Sequence, residues 1–149
     1  MSALLSSCAV QPAPTAATHT RGMLQKVRTT AYTHTEGTGG RNAIGRRLSG
    51  NGVMSASSDW SRFPLGTRFR VLETGEEYVI DDYGGALVGT NTIDLYKTSR
   101  GAMNRWGVRH VDIEILHWGS NDESLKVLRP RHHIGRVRRM IAVLEQKKT

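Results

Sequence analysis

Short stretches of alternating hydrophobic and polar residues recur along the middle of this chain and predict β-strands. The clearest stretch is Arg109–His117, where Val111, Ile113 and Ile115 fall on one face of an extended strand. Similar alternation, or a short apolar run between turn residues, predicts further strands at residues 26–33, 53–58, 68–72, 77–80 and 93–96. The chain therefore has the pattern of a protein built from six short strands.

A single short helix is predicted between the last two strands, over residues 100–106. Ser99 is a suitable N-cap for this helix, and Gly107 suits the position just beyond its C-terminus. Six strands, one short helix and glycine-rich loops predict a mainly β fold, in which a small barrel leaves no sheet edge exposed.

The net charge of +8 is concentrated at the C-terminus. Residues 26–125 contain twelve basic and twelve acidic residues, whereas residues 126–149 contain eight basic residues and one acidic residue. Ile134, Val137, Ile141 and Leu144 recur there at helical spacing, so we predict a basic amphipathic helix after a polar linker at residues 119–124.

Two interpretations of this C-terminal extension, residues 119–149, remain open from the sequence. The helix either packs on the barrel with a solvated basic face, or contacts a membrane surface or an anionic polymer. Nucleic-acid binding would rest on charge alone, because the basic residues lack interleaved aromatic side chains. We therefore expect no nucleic-acid partner.

Residues 1–25 are rich in Pro, Ala, Thr and Ser and predict an N-terminal tail and linker. Cys8 is the single cysteine of the chain, which excludes an internal disulfide. The stretch from Leu5 to Cys8 resembles the lipobox of a bacterial lipoprotein, although the residues before it lack the basic and apolar regions of a signal sequence. We expect lipid attachment at Cys8 if the true start lies upstream; the alternative is a tail with an incidental cysteine.

Two carboxylates are associated with the predicted strands in the centre of the chain. Asp82 follows an apolar strand, Asp94 lies inside another, and Gly84 and Gly85 between them let the backbone come close to a bound molecule. A carboxylate in an apolar strand costs desolvation energy unless it is paired or poised for chemistry. This pattern predicts a carboxylate site on a β scaffold.

Four short motifs follow one another along the same region. They are Pro-Leu-Gly-Thr at residues 64–67, Asp-Tyr-Gly-Gly-Ala-Leu-Val-Gly at 82–89, Ile-Asp-Leu-Tyr at 93–96 and Trp-Gly-Val-Arg at 106–109. In this order they resemble the 3D domain, named for three aspartates, which is shared with the C-terminal part of membrane-bound lytic transglycosylase A. The resemblance implies a double-psi β-barrel similar to that of rare lipoprotein A over residues 26–118. The sequence departs from the family pattern at two places. Tyr83 stands where threonine is usual, and the loop at residues 89–93 is one residue longer than is common in the family.

The resemblance also implies site residues and an activity. The three aspartates correspond to Asp59, Asp82 and Asp94, and the expected reaction is non-hydrolytic cleavage of the MurNAc–GlcNAc bond of peptidoglycan. Asp94 is expected to act as acid and then base. Asp82 is expected to raise the pKa of Asp94 or to accept a sugar hydroxyl, and Asp59 to orient the pair.

Substrate contacts are expected from Tyr32 on the first strand, for which packing in the core is the alternative, and from Gly84 and Gly85. Two alternatives remain open, namely hydrolysis with Asp82 activating water and a non-catalytic module that binds glycan. We expect a monomer of the bacterial cell envelope, in the periplasm or at the outer membrane. No cofactor and no metal are expected.

Overall fold

The computed structural model describes residues 22–35 and 39–147, and within them six strands close into a barrel. The strands are β1 (Gly22–Tyr32), β2 (Val53–Ser58), β3 (Arg68–Val71), β4 (Glu77–Tyr83), β5 (Ile93–Tyr96) and β6 (Arg109–His117). Around the barrel they follow the order β1-β5-β2-β4-β3-β6, in which β1–β5 and β2–β4 are parallel pairs and the other neighbours are antiparallel. The prediction of a mainly β fold with a small six-stranded barrel is confirmed.

The core of the barrel is formed by alternate residues of these strands. Large apolar side chains with at most a few per cent of their surface exposed line the interior: Phe69, Val71, Tyr78, Ile80, Ile93, Leu95, Val111, Ile113 and Ile115. Because successive residues of a strand point to opposite faces, the residues between them lie on the outside of the barrel.

The short helix α1 (Arg100–Trp106) has the predicted bounds and the predicted caps. The Ser99 hydroxyl accepts a hydrogen bond from the Ala102 amide at 3.1 Å. Gly107 takes a left-handed φ of 62°, and its amide donates to the Met103 carbonyl at 3.1 Å. Strands β2, β5 and β6 also begin and end at the predicted residues.

The predicted N-terminal tail ends earlier than residue 25, because β1 already begins at Gly22. Gly22, Met23 and Leu24 pair with β6. The pairing register then shifts between Leu24 and Val27, which marks a β-bulge. The strand is therefore longer and more irregular than the alternation of its residues indicates.

The predicted polar linker at residues 119–124 is wrong, because a second helix, α2 (Asn121–Leu128), begins within it. The Ser120 hydroxyl caps this helix by accepting from the Glu123 amide at 3.1 Å. Leu125 and Leu128 are fully buried and join the hydrophobic core. The polar first turn of α2 has the composition of a linker, but its last turn is part of the fold.

The predicted basic helix is α3 (Gly135–Gln146), and it packs on the barrel. Val137, Met140 and Leu144 are buried on its inner face. Ile134 is 42% exposed and precedes the helix, so its expected place on the apolar face is wrong. None of the helices in the described parts of the chain combines the length and apolar character that a bilayer-spanning helix requires.

Candidate active site

A row of polar residues crosses four neighbouring strands of the barrel. Thr30 pairs with Asp94, Asp94 with Ser57, and Ser57 with Asp82. Residues that pair directly across strands point to the same face of a sheet. Because neighbouring strands lie about 4.8 Å apart, the Cα atoms of Asp82 and Asp94 are separated by roughly 10 Å, with Ser57 between them.

Asp94 lies on the outer face of β5 and is half-buried. Its neighbours Ile93 and Leu95 are fully buried on the inner face. The Thr30 hydroxyl donates a hydrogen bond to Asp94 Oδ1 at 2.8 Å. This contact fixes the carboxylate across the β1–β5 pair, on the same face as Ser57.

Asp82 is preceded by an extra residue in its strand. Ala56 pairs with Ile80 and Ser57 pairs with Asp82, so Asp81 has no partner on β2 and forms a β-bulge. Strict alternation would place Asp81 on the face opposite to Asp82, and that expectation does not hold across a bulge. The two carboxylates instead lie near the same group, because the charges of Asp81 and Asp82 both raise the pKa of the Tyr32 hydroxyl.

The surroundings of Asp82 favour its protonated form. The pKa of the Asp82 carboxyl is raised to about 6, mainly by burial and to a smaller extent by the nearby charge of Asp81. The Tyr83 amide, which donates to Asp82 Oδ1 at 3.0 Å, and the charge of Arg131 act in the opposite direction. A carboxyl group with such a pKa is protonated in part near neutral pH and is able to donate a proton.

Asp81 was not predicted as a site residue, and its carboxylate is partly satisfied within the fold. Oδ2 accepts hydrogen bonds from the Ser55 hydroxyl at 2.6 Å and from the Asn42 side-chain amide at 3.0 Å. Burial raises the pKa of Asp81 against these two contacts. Oδ1 is buried and has no hydrogen-bond partner among the described residues.

Tyr32 lies close to all three of these carboxylates. Its hydroxyl is buried and, within the described chain, accepts and donates no hydrogen bond. The pKa of Tyr32 is raised well above its ordinary value, first by burial and then by the charges of Asp82, Asp81 and Asp94. The predicted site residues Tyr32, Asp82 and Asp94 are thus brought together by the barrel.

A cleft of about 450 Å³ opens beside Asp82. One wall is the loop around Ala43, and another is Arg131, which lies between α2 and α3. The Arg131 guanidinium donates to the Tyr83 hydroxyl at 3.2 Å and to the Ala43 carbonyl at 2.7 Å. The C-terminal extension therefore forms part of the site, which its polar sequence did not indicate.

Asp59 follows β2 and holds two loops together. Its Oδ1 accepts from the amide and hydroxyl of Ser61 at 2.9 and 2.7 Å, and its Oδ2 accepts from the Gly89 amide at 2.8 Å. Arg62 adds an ion pair at 3.7 Å. These contacts anchor the loop that leads into β5, so Asp59 can affect Asp94 through the position of this loop.

Gly84 and Gly85 leave room for other parts of the same chain. A side chain at Gly84 would meet Leu87 and Ser57, and one at Gly85 would overlap the Arg136 side chain of α3. The absence of a side chain at Gly85 leaves space for Arg136 of the C-terminal extension, whereas at Gly84 it leaves space for neighbours within the barrel domain. Substrate contact at these glycines stays a prediction.

Cys8, where lipid attachment is expected, lies outside the described parts of the chain. In the described ranges, no three His, Cys, Asp or Glu side chains are placed to hold a metal ion. The sequence matches no model of a known protein family and no curated protein.

Proposed function

We propose that this protein cleaves the glycosidic bond between MurNAc and GlcNAc in peptidoglycan, with Asp82 and Asp94 as the reacting carboxylates. The observation that carries the proposal is the shared row of Asp94, Ser57 and Asp82, in which burial raises the pKa of Asp82 to about 6. The order of the sequence motifs supports assignment to the 3D domain family, and the closed barrel with two parallel strand pairs is compatible with it. A bacterial envelope location with lipid attachment at Cys8 belongs to the same proposal.

The raised pKa suits Asp82 as the proton donor to the glycosidic oxygen. As the bond from this oxygen to the MurNAc anomeric carbon breaks, Asp94 stabilises the positive charge that develops on the sugar. The C6 hydroxyl of MurNAc then attacks the anomeric carbon and returns its proton to Asp82, which leaves a 1,6-anhydro end and consumes no water. The family resemblance implies a different assignment, in which Asp94 rather than Asp82 donates the proton and later recovers it.

A non-catalytic glycan-binding module is the second candidate. The observation that favours it is Trp118, which is 46% exposed and stacks on Phe63 with 6.2 Å between the ring centroids and 11° between the planes. An exposed aromatic face of this kind can pack against a sugar ring without any chemistry.

Mass spectrometry of purified sacculi after incubation with the protein separates these functions. We expect 1,6-anhydro products from the wild-type chain and a loss of roughly 100-fold or more in rate for Asp82→Asn. Asp94→Asn should also lower the rate. The matched control Glu73→Gln removes an exposed carboxylate in the turn between β3 and β4 and should retain activity.

Each other outcome rejects a defined part of the proposal. Products with reducing ends would mean hydrolysis, and intact sacculi with protein bound would mean a binding module. Full activity of Asp82→Asn with loss in Asp94→Asn would return the acid–base role to Asp94. Sacculi that are neither bound nor cleaved would reject both candidate functions.

A further inference from the structure

A second cavity lies at Thr92, which directly precedes β5 and is two residues from Asp94. The Arg28 guanidinium donates to the Thr92 hydroxyl at 3.2 Å, and Arg28 pairs with His110 on β6. These residues line a cavity of about 540 Å³, a size that suits a small ligand or a short peptide.

The charged residues in the lining of this cavity, Lys26 and Arg28, are both basic. His110 also contributes to the lining, and all three residues are exposed. Phe63, which is only 6% exposed, contributes an apolar surface. The backbone amide of Lys26 donates to Asp112 Oδ1 at 2.9 Å.

Arg28 is prepared to bind a carboxylate. Its contact with Thr92 holds the guanidinium at the cavity and uses one N–H group, while a guanidinium has five. The remaining donors form a planar fork that matches the two oxygens of a carboxylate. A neutral sugar ring would not use this charge, whereas an acidic group would.

The backbone at the edge of the cavity is irregular. The register shift between Leu24 and Val27 leaves Gln25 and Lys26 outside the β1–β6 pairing, and both residues line the cavity. Lys26 has a φ of 53°, in the left-handed region that residues with side chains seldom adopt. Such backbone strain persists where the surrounding structure enforces it, and it is concentrated at functional sites.

We propose that this cavity binds the acidic peptide stem of a glycan strand whose sugars lie over Asp94 and Asp82. This inference rests on the proposed function, since it assigns the neighbouring cavity to another part of the same substrate. The charge selects for carboxylates, the irregular backbone at the edge offers polar groups to an extended peptide, and Phe63 accommodates an apolar portion. The protein therefore prefers strands that carry peptide stems to strands that have been stripped of them.

The test measures binding of two glycan preparations to the full chain carrying Asp82→Asn, which removes the proposed proton donor. One preparation retains its peptide stems; the other has been stripped of them by an amidase, and the lactyl carboxylates that this hydrolysis leaves on MurNAc have been converted to amides. We expect the stem-bearing strands to bind about tenfold more tightly, which corresponds to one charge-assisted hydrogen bond. Adding Arg28→Gln should reduce this ratio to about one without changing the affinity for stripped strands.

Arg28→Lys keeps the positive charge but removes the planar guanidinium. Compared with Arg28→Gln, it should restore only part of the preference for stem-bearing strands. Arg100→Gln, which removes an exposed charge on α1, is the matched control and should leave the ratio unchanged. Since Arg28 is exposed, its variants should melt at the wild-type temperature; Lys26→Gln at the same cavity provides a second variant.

Equal affinity for both preparations in the Asp82→Asn chain would overturn the inference and leave the proposed function standing. An Arg28→Gln variant that lowers both affinities by the same factor would also overturn it. If neither preparation binds, the proposed function fails, and the inference fails with it.

Discussion

Burial of the ionised Asp82 carboxylate destabilises the folded chain, and the size of this effect depends on pH. Its pKa is about 6 in the folded chain, against an ordinary value of 3.8. A raised carboxyl pKa means that the folded state binds a proton more tightly than the unfolded state. The stability associated with this proton is fully present below about pH 4 and is lost as the pH rises through 6.

We therefore predict that Asp82→Asn stabilises the protein at pH 8 and has little effect at pH 4. The amide cannot ionise, and its oxygen can still accept from the Tyr83 amide. A gain of roughly 2 kcal/mol in the free energy of unfolding is expected at pH 8, after allowance for partial solvent exposure. Urea unfolding at the two pH values measures it, with Asp112→Asn as the control for an exposed carboxylate. A variant no more stable than the wild type at pH 8 would contradict the prediction.

The Tyr32 hydroxyl is buried without a hydrogen-bond partner in the described chain, so its removal should cost no stability. We predict that Tyr32→Phe unfolds at the wild-type free energy or up to about 1 kcal/mol above it. Tyr78→Phe is the matched comparison, because its hydroxyl donates to Glu76 and accepts from Lys97, each at 2.9 Å. That variant should lose about 1 kcal/mol in the same denaturation experiment. Destabilisation by Tyr32→Phe would show that its hydroxyl does have a partner.

Among the elements, the junction between the barrel and α2 depends on one glycine. The Gly119 amide donates to the Thr67 hydroxyl at 3.0 Å, and the next amide, of Ser120, donates to the Leu65 carbonyl at 3.0 Å. These contacts draw the chain against the turn of residues 64–67. A Cβ atom at Gly119 would overlap the backbone atoms of Pro64, Leu65 and Thr67.

We predict that Gly119→Ala lowers the free energy of unfolding by about 2 kcal/mol or more, because backbone atoms have to move to admit the methyl group. Gly22→Ala is the control: no atom of residues 22–35 or 39–147 lies within 4 Å of its added methyl group, and its φ is not left-handed. Thermal denaturation of the two variants compares them directly. If the Gly119→Ala chain melts at the same temperature as the Gly22→Ala control, this junction has room for a methyl group and the prediction is wrong.

At the scale of the whole molecule, the barrel and the C-terminal helices share one core. Leu125, Leu128, Val137, Met140 and Leu144 are at most 1% exposed and belong to the same apolar cluster as the barrel strands. Each fully buried side chain of this kind contributes about 2 kcal/mol. Together they are comparable to the whole stability of a small domain.

Removal of residues 121–149 should therefore abolish cooperative unfolding of the barrel, as measured by circular dichroism and urea titration. A double variant, Arg138→Gln with Arg139→Gln, provides the matched control, because it removes charge from the exposed face and leaves the buried residues in place. We expect this control to melt near the wild-type temperature. If it also loses affinity for sacculi, the basic face contacts an anionic polymer as well. A truncated chain that unfolds cooperatively would show that the barrel is stable alone.

Local patterns in the sequence determined most of the strands and the first helix. Alternation and capping residues act over a few neighbouring positions, which is why β2, β5, β6 and α1 begin and end where the sequence predicts. The cap of α2 was also present as Ser120 followed by Glu123, but its polar first turn has the composition of a linker. The carboxylates Asp82 and Asp94 were identified from their apolar surroundings in the sequence.

Only the tertiary structure decided how these parts meet. The bulge at Asp81 depends on pairing with β2, and the row from Asp82 to Asp94 depends on the register of strands that are not adjacent in sequence. Arg131 reaches the cleft because α2 and α3 bury apolar side chains against the barrel. Local sequence specifies the conformation of short segments, whereas register and packing depend on contacts between residues far apart in the chain. For that reason the sequence by itself determined the elements and the chemistry of the candidate residues, and the closed barrel determined which of them share a site.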